Sequence, residues 1–298
     1  MVVVTRPRSE AEDHDHSSED PAVLRRVAVA VAEEASEHVR RRRPEVFADS
    51  GAHDDAVRSK STRTDPVTIV DTETENLVRT TLARLRPHDA VLGEEEGGDD
   101  VPPDGVRWVV DPIDGTVNFL YGIPVYSVSV AAQVRGTSVA GAVVDVVGRR
   151  TYSAHVGGGA HVSADGKIPK PLRANPVDDL AMALMATGFG YDAARRREQG
   201  RLIGELLPRV RDVRRIGSAA LDLCMVAAGL VDAHFEHGLS PWDWAAGSLV
   251  AAEAGAVVIV PSASSRSHHG AVTVACAPGI ADEFHALLGE IGGLDPIP

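Results

Sequence analysis

WVVDPIDGT, residues 108–116, closes an apolar run with two aspartates three positions apart. Trp108, Val109 and Val110 read as a strand buried on both faces, because a short continuous run of aromatic and β-branched residues suits an interior strand. Asp111 and Asp114 follow at its end, with Pro112 stiffening the turn and Gly115 leaving room for backbone to approach a ligand. Carboxylates are poor packing choices there and good oxygen ligands for a hard cation. Gly115-Thr116 can open a helix whose free N–H groups hold an anion. Taken alone, DPIDG also fits a β-turn, where Asp, Pro and Gly are favoured for local reasons.

Other acids occupy comparable places. Glu94, Glu95 and Glu96 follow the short apolar run Ala90-Val91-Leu92-Gly93, and Asp243 stands between Trp242 and Trp244 at the expected start of a helix. Each stretch alone has a plain reading, an acidic solvated loop in one case and a capped helix in the other. Brought together, several carboxylates raise one another's pKa values unless a cation neutralises them. An oxygen-only set without His or Cys points to Mg²⁺.

Around these motifs the pattern alternates. Val23, Leu24, Val27, Ala28, Val31, Ala35 and Val39 recur at helical spacing from Pro21, and the helix ends in Arg40–Arg43. Those cations complement the helix dipole, with an anion site as the other reading. A second helix is expected over 71–85, capped by Asp71 or Thr72. Strands follow at 107–110, 126–134 and 138–147, with a hairpin turn at Gly136 and loop glycines at 157–159. The second half alternates helices (193–207, 218–229, 244–255) with short strands. Hairpins first and β/α alternation later predict sheets layered with helices.

Composition narrows the function. The chain has 298 residues and a net charge of -13, which argues against nonspecific nucleic-acid binding. No apolar stretch is long enough to span a membrane, and Met1–Thr5 is too short for a signal-peptide core. Cys224 and Cys276 lie apart in apolar surroundings and read as reduced core thiols, consistent with a cytoplasmic protein. His14 and His16 fall in a charged, aperiodic tail, and His268 and His269 in a Ser-rich loop; both pairs read as solvated. The run RRREQGR (195–201) reads as an exposed basic helix face, with a contact to a second phosphate or a partner subunit as the alternative.

GEE (93–95), WVVDPIDGTVNF (108–119) and PWDWAAG (241–247), in that order, resemble the inositol monophosphatase family. DPVTIVDTETE (65–75) and RRIGSAALDLCMVAAGLVDAHFEHG (214–238) match its other blocks. The resemblance covers 21–298, so a single catalytic domain is expected there, behind a disordered acidic tail at 1–20. It implies an α/β (α+β) fold, a layered αβαβα sandwich, and usually a homodimer. It also implies a Mg²⁺-dependent, Li⁺-sensitive phosphomonoesterase that takes a small phosphorylated polyol, foremost inositol 1-phosphate, and hydrolyses it with a metal-activated water. Histidinol phosphate and other sugar or nucleotide phosphates are the alternative substrates, and a binding or regulatory role on the same fold is the alternative class.

Carried onto this sequence, the resemblance gives Glu94, Asp111 and the Ile113 carbonyl to one Mg²⁺, and Asp111, Asp114 and Asp243 to a second. Thr116, paired with Asp71 or Glu94, would orient the attacking water. Gly115 and Thr116 N–H groups would take phosphate oxygens; Gly217, Ser218, Ala219 and Glu236 would meet substrate hydroxyls. Lys60 matches a family lysine near the metals. The chemistry needs no covalent intermediate, and the acids of DPIDGT are three apart, whereas the aspartyl-nucleophile motif of haloacid-dehalogenase phosphatases has them two apart.

Overall fold

The computed structural model describes residues 2–4, 20–47, 57–59, 66–99, 104–164 and 167–298. The chain begins β1 (Val2–Val4), α1 (Pro21–Val46), β2 (Val57–Ser59), β3 (Pro66–Thr68), α2 (Ile69–Leu85) and β4 (Ala90–Gly93). It continues through β5 (Val106–Asp114), α3 (Thr116–Tyr121), β6 (Ser127–Val134), β7 (Thr137–Asp145), β8 (Arg150–His155), β9 (Ala160–Ala164) and β10 (Lys170–Pro171). The second half holds β11 (Leu184–Thr187), α4 (Ala193–Leu206), β12 (Asp212–Arg214), α5 (Ala219–Ala227) and β13 (Ala233–His237). It closes with α6 (Pro241–Glu253), β14 (Val257–Val260), β15 (Val272–Cys276) and α7 (Ala281–Glu290).

These elements stack in five layers. A seven-stranded sheet runs β10-β9-β8-β7-β6-β5-β4, and a six-stranded sheet runs β1-β14-β15-β13-β11-β12. On the outer face of the larger sheet, Leu24, Ala28, Val31, Ala35 and Val39 of α1 and Val78 and Leu82 of α2 pack on Trp108, Val110, Val128 and Val130. Between the sheets lie α5 and α6, whose alanines and leucines meet Val109, Ala131 and Val143 on one side and Val258 and Ala275 on the other. Leu202 and Leu206 of α4 and Phe284 and Leu288 of α7 cover the far face of the smaller sheet. α5 and α6 are apolar nearly all round because both faces are covered. The expected αβαβα sandwich is what the chain forms.

Some local expectations are corrected. The second helix begins at Ile69, and its cap is Thr68 rather than Asp71 or Thr72. Thr68 forms a capping box with Asp71, whose carboxylate accepts the Thr68 N–H at 2.9 Å. The tail is not featureless: Val2–Val4 pair antiparallel with Val260–Val258 at the edge of the smaller sheet. Three consecutive valines suit an edge strand, and only a partner more than 250 residues away completes it. The strand predicted at 107–110 extends to Asp114, with its register on β6 broken between Asp111 and Asp114. Arg43 stands in the last turn of α1, as the dipole reading expects, and Arg42 and Arg43 also have specific partners. Arg42 binds Glu73 at 2.7 Å, and Arg43 donates to the Phe119 carbonyl at 2.9 Å.

Candidate active site

The break in β5 is what aims two carboxylates into one cleft. A bulge adds residues without ladder partners and bends the strand; here Asp111 pairs with Ser129 and Asp114 with Ser127, and the residues between are displaced. Gly115 then takes φ +99°, a left-handed conformation that would strain any other residue, with the Gly217 carbonyl 3.0 Å from where a Cβ would stand. Only after this turn can α3 begin at Thr116.

Asp111, Asp114 and Asp243 each offer a carboxylate oxygen within 4.8 Å of the others. Glu94 reaches the same cleft of about 570 Å³, as do Ile113, Gly115, Thr116, Gly217, Ser218, Ala219 and Glu236. Burial, then repulsion from Glu94, Asp114 and Asp243, pushes Asp111 well above the usual carboxylate range. Burial, then Glu94 and Asp114, does the same to Asp243. Asp114 rises to about 6 through burial although Ser218 and Ala220 donate to it. None of these three acids is ion-paired among the described residues. Crowded oxygen donors that repel one another and lack a basic partner fit a hard divalent cation.

Helix starts fix two of the acids. Asp243 lies in the first turn of α6 and accepts the Ser240 N–H at 2.7 Å. Asp114 sits against the start of α5, taking the Ser218 hydroxyl at 2.5 Å, the Ala220 N–H at 2.8 Å and the Ala219 N–H at 3.3 Å. Ser218 and Ala219, expected at substrate hydroxyls, therefore direct these donors to Asp114. Thr116 pairs with Asp71 rather than Glu94: its hydroxyl lies 3.3 Å from Asp71 Oδ1 and 3.1 Å from the Ile113 carbonyl. Asp71 is fully buried, with its other oxygen bonded to Thr68.

Three groups in or behind the cleft escaped the sequence reading. Glu75 is fully buried and accepts the N–H groups of Glu95 at 2.7 Å and Glu96 at 3.0 Å, so it anchors the loop that carries Glu94. Its signal lay in the block DPVTIVDTETE, whose last residue it is. Behind Glu236, the His234 ring lies between two carboxylates, with Nδ1 3.6 Å from Asp222 and Nε2 3.9 Å from Glu236. Burial lowers the His234 pKa and raises that of Asp222, while Glu236 is pushed up to about 7. Arg195, expected on an exposed face, is buried instead and lines the cleft. His268 and His269 are exposed, as expected. Lys60, His14 and His16 lie outside the described residues.

The chain matches the profile of the inositol monophosphatase family over residues 20–291. It belongs to the inositol monophosphatase family. That makes it a member of a phosphatase family. Inositol-1-monophosphatase SuhB of Mycobacterium tuberculosis is 58% identical over 285 residues, covering 94% of this chain and 98% of that protein. The solved structure titled Mycobacterium tuberculosis SuhB superposes with a TM-score of 0.79 at 53% identity, over 93% of this chain and all of the other. Family resemblance also extends to Nus factor SuhB of Escherichia coli, 38% identical over 206 residues, 68% of this chain and 75% of that protein. No helix among the described residues is long and apolar enough to cross a membrane.

Proposed function

We propose that residues 21–298 form a single catalytic domain that hydrolyses a small phosphorylated polyol, foremost inositol 1-phosphate, with Mg²⁺. The observation that carries this reading is the convergence of Asp111, Asp114 and Asp243 within 4.8 Å in a cleft that Glu94 also lines. Glu94, Asp111, Asp114, Asp243 and the Ile113 carbonyl would hold the ions. When bound, such ions neutralise phosphoryl oxygens and lower the pKa of water.

The chain's own groups do the rest. Thr116 Oγ1, tied to Asp71, orients the attacking water and can relay its proton to the Asp71 carboxylate. The N–H groups of Gly115 and Thr116 face the phosphate. Glu236, with a pKa near neutrality, meets a polyol hydroxyl as acceptor or donor. A homodimer and a cytoplasmic site of action accompany the family resemblance.

Phosphate release tests this reading, measured with Mg²⁺ on inositol 1-phosphate, histidinol phosphate, NADP and 3'-phosphoadenosine 5'-phosphate, each with and without Li⁺. Preference for inositol 1-phosphate with Li⁺ inhibition is expected, and Asp114→Asn should lower turnover at least about 100-fold. Preference for histidinol phosphate would overturn the polyol assignment. The name Nus factor carried by the Escherichia coli relative favours a second reading, action by association with other molecules. Full turnover in Asp114→Asn, or release from none of the esters, would favour it.

A further inference from the structure

Alternation along β13 puts His234 and Glu236 on one face of the smaller sheet and Ala233, Phe235 and His237 on the other. Ala233 and Phe235 join the apolar core under α4 and α7, so His234 and Glu236 point the opposite way, toward α5. There the first turn of α5 brings Asp222 up to the ring. The side chains of His234 and Asp222 are 0% and 1% exposed, while that of Glu236 is 11% exposed and lines the cleft. Nδ1 of the ring faces Asp222 at 3.6 Å and Nε2 faces Glu236 at 3.9 Å. Among the described residues neither nitrogen has a hydrogen-bond partner, and nor does Asp222 Oδ1. Buried polar atoms left unpaired are costly, and this trio lies within a small side-chain rotation of pairing. Gly188 leaves the room for it: a Cβ there would overlap Glu236 Oε2, the oxygen that faces Nε2.

Burial keeps the imidazole neutral, with a single N–H to give. Two arrangements use it. Nδ1–H can face an ionised Asp222 while a protonated Glu236 donates to Nε2. Alternatively, a protonated Asp222 donates to Nδ1 while Nε2–H faces an ionised Glu236. The depth of the two acids decides between them. Burial holds Asp222 well above the usual carboxylate range, with Arg215 opposing the rise, whereas Glu236 is pushed up only to about 7. The proton therefore belongs to the deeper acid and the charge to the one at the cleft. Beyond the trio, Asp114 of β5 and Asp243 of α6 oppose a charge on Glu236, and Arg215, before α5, supports it.

We propose that His234 is a positioning residue: it accepts a hydrogen bond from protonated Asp222 at Nδ1 and donates Nε2–H to Glu236, holding that carboxylate as an acceptor for a substrate hydroxyl. The inference rests on the polyol-phosphatase reading and adds the groups that set which way Glu236 bonds. A chain of donors that all point toward the cleft leaves Glu236 one role. The site then prefers an alcohol that presents a hydroxyl there over one that presents a carbonyl or ether oxygen, which has no proton to give. His234 acts through Glu236 alone, so its effect falls on binding of the alcohol part rather than on the chemical step.

Steady-state kinetics with Mg²⁺ at about pH 8, on inositol 1-phosphate and para-nitrophenyl phosphate, test the chain. His234→Phe keeps a ring and removes both nitrogens. KM for inositol 1-phosphate should rise about tenfold, the size of one charge-assisted hydrogen bond, with kcat within about twofold and para-nitrophenyl phosphate little changed. Asp222 reports the direction of the chain. Asp222→Asn can still donate to Nδ1 and should keep KM within about twofold, whereas Asp222→Leu cannot and should raise it about fivefold. The wild type reports even if the His234 variant fails to fold: ¹⁵N spectra of labelled histidine should show His234 as the Nε2–H tautomer, its signal identified by the change in Asp222→Asn. An Nδ1–H tautomer, an unchanged KM or equal losses on both esters in His234→Phe, or an Asp222→Asn variant that behaves like Asp222→Leu overturns the proposal. Wild-type phosphate release from inositol 1-phosphate leaves the phosphatase reading standing in each of those cases, and release from neither ester overturns both.

Discussion

Replacing Glu75 by Gln removes one oxygen from a buried carboxylate that three N–H donors share. Oε1 accepts from Arg79 Nε at 2.9 Å and from the Glu96 N–H at 3.0 Å, Oε2 accepts from the Glu95 N–H at 2.7 Å, and Arg79 Nη2, which donates to the Gly97 carbonyl, stands in ion-pair contact with Oε1 at 2.8 Å. Glutamine offers one acceptor oxygen, and its amide nitrogen must face a donor. The least costly choice sets that nitrogen against the Glu95 N–H. One charge-assisted bond is lost, about 1.5–3 kcal/mol, and a donor is left unsatisfied, about 1–3 kcal/mol. A net loss of about 3 kcal/mol is therefore expected. With an unfolding entropy near 2.1 cal/mol/K per residue, a chain of this size should melt roughly 5 °C lower. The same loop carries Glu94, so the Mg²⁺ concentration for half-maximal activity should rise about tenfold, if nearly half of the loss appears as displaced loop. Thermal melts and Mg²⁺ titrations of activity measure the two effects. Unchanged melting would refute the energetic argument. Lower melting with an unaltered Mg²⁺ response would show that Glu75 does not position Glu94.

Two further substitutions probe other parts of the cleft. A Cβ at Gly188 would overlap the Glu236 carboxylate, so Gly188→Ala should raise KM for a polyol phosphate about tenfold. Hydrolysis of para-nitrophenyl phosphate, which has no hydroxyl for Glu236 to meet, should change far less; equal losses on both esters would refute the assignment of Glu236. His237 is buried and its pKa falls from 6.5 to about 4, because burial disfavours the imidazolium. The unfolded imidazole takes up a proton below pH 6.5 while the folded one stays neutral. The stability of the wild type relative to His237→Gln should thus be fully present above pH 6.5 and decline by up to about 3 kcal/mol as pH falls toward 4. Urea denaturation of both proteins at pH 7 and pH 4.5 gives this difference, and a gap independent of pH would count against it.

The parts of the site readable in the sequence are those whose partners are close in the chain. Asp111 and Asp114 declare themselves through a strand that ends in Pro and Gly, and Asp243 through the Ser-Pro-Trp-Asp start of a helix. Thr68-x-x-Asp71 is a capping box that the motif itself displays, yet the block around it reads more readily as a helix starting at Asp71. Glu75 and Arg195 were hidden for a different reason. Each lies on a helix of ordinary periodicity, and their roles depend on N–H groups 20 residues away and on a loop hydroxyl 72 residues away. β1 has the same character, since nothing local to Val2–Val4 indicates a partner at Val258–Val260.

Where the acids sit also explains how the fold tolerates them. Carboxylates gathered in a buried cleft repel, and the raised pKa values of Asp111, Asp114 and Asp243 are that repulsion together with burial. Two of them stand at the electropositive starts of helices, Asp114 against α5 and Asp243 in the first turn of α6. A helix N-terminus stabilises a nearby anion by up to about 2 kcal/mol in partly buried geometry. Asp111 has no helix and instead accepts the Ile113 N–H at 3.0 Å, within its own turn. It also meets repulsion from Glu94, Asp114 and Asp243 together, which makes it the acid most in need of a cation. The capping residues of α5 and α6 and the turn of DPIDGT thus do double duty: the same donors that end a strand and start two helices hold the carboxylates in place before any ion arrives.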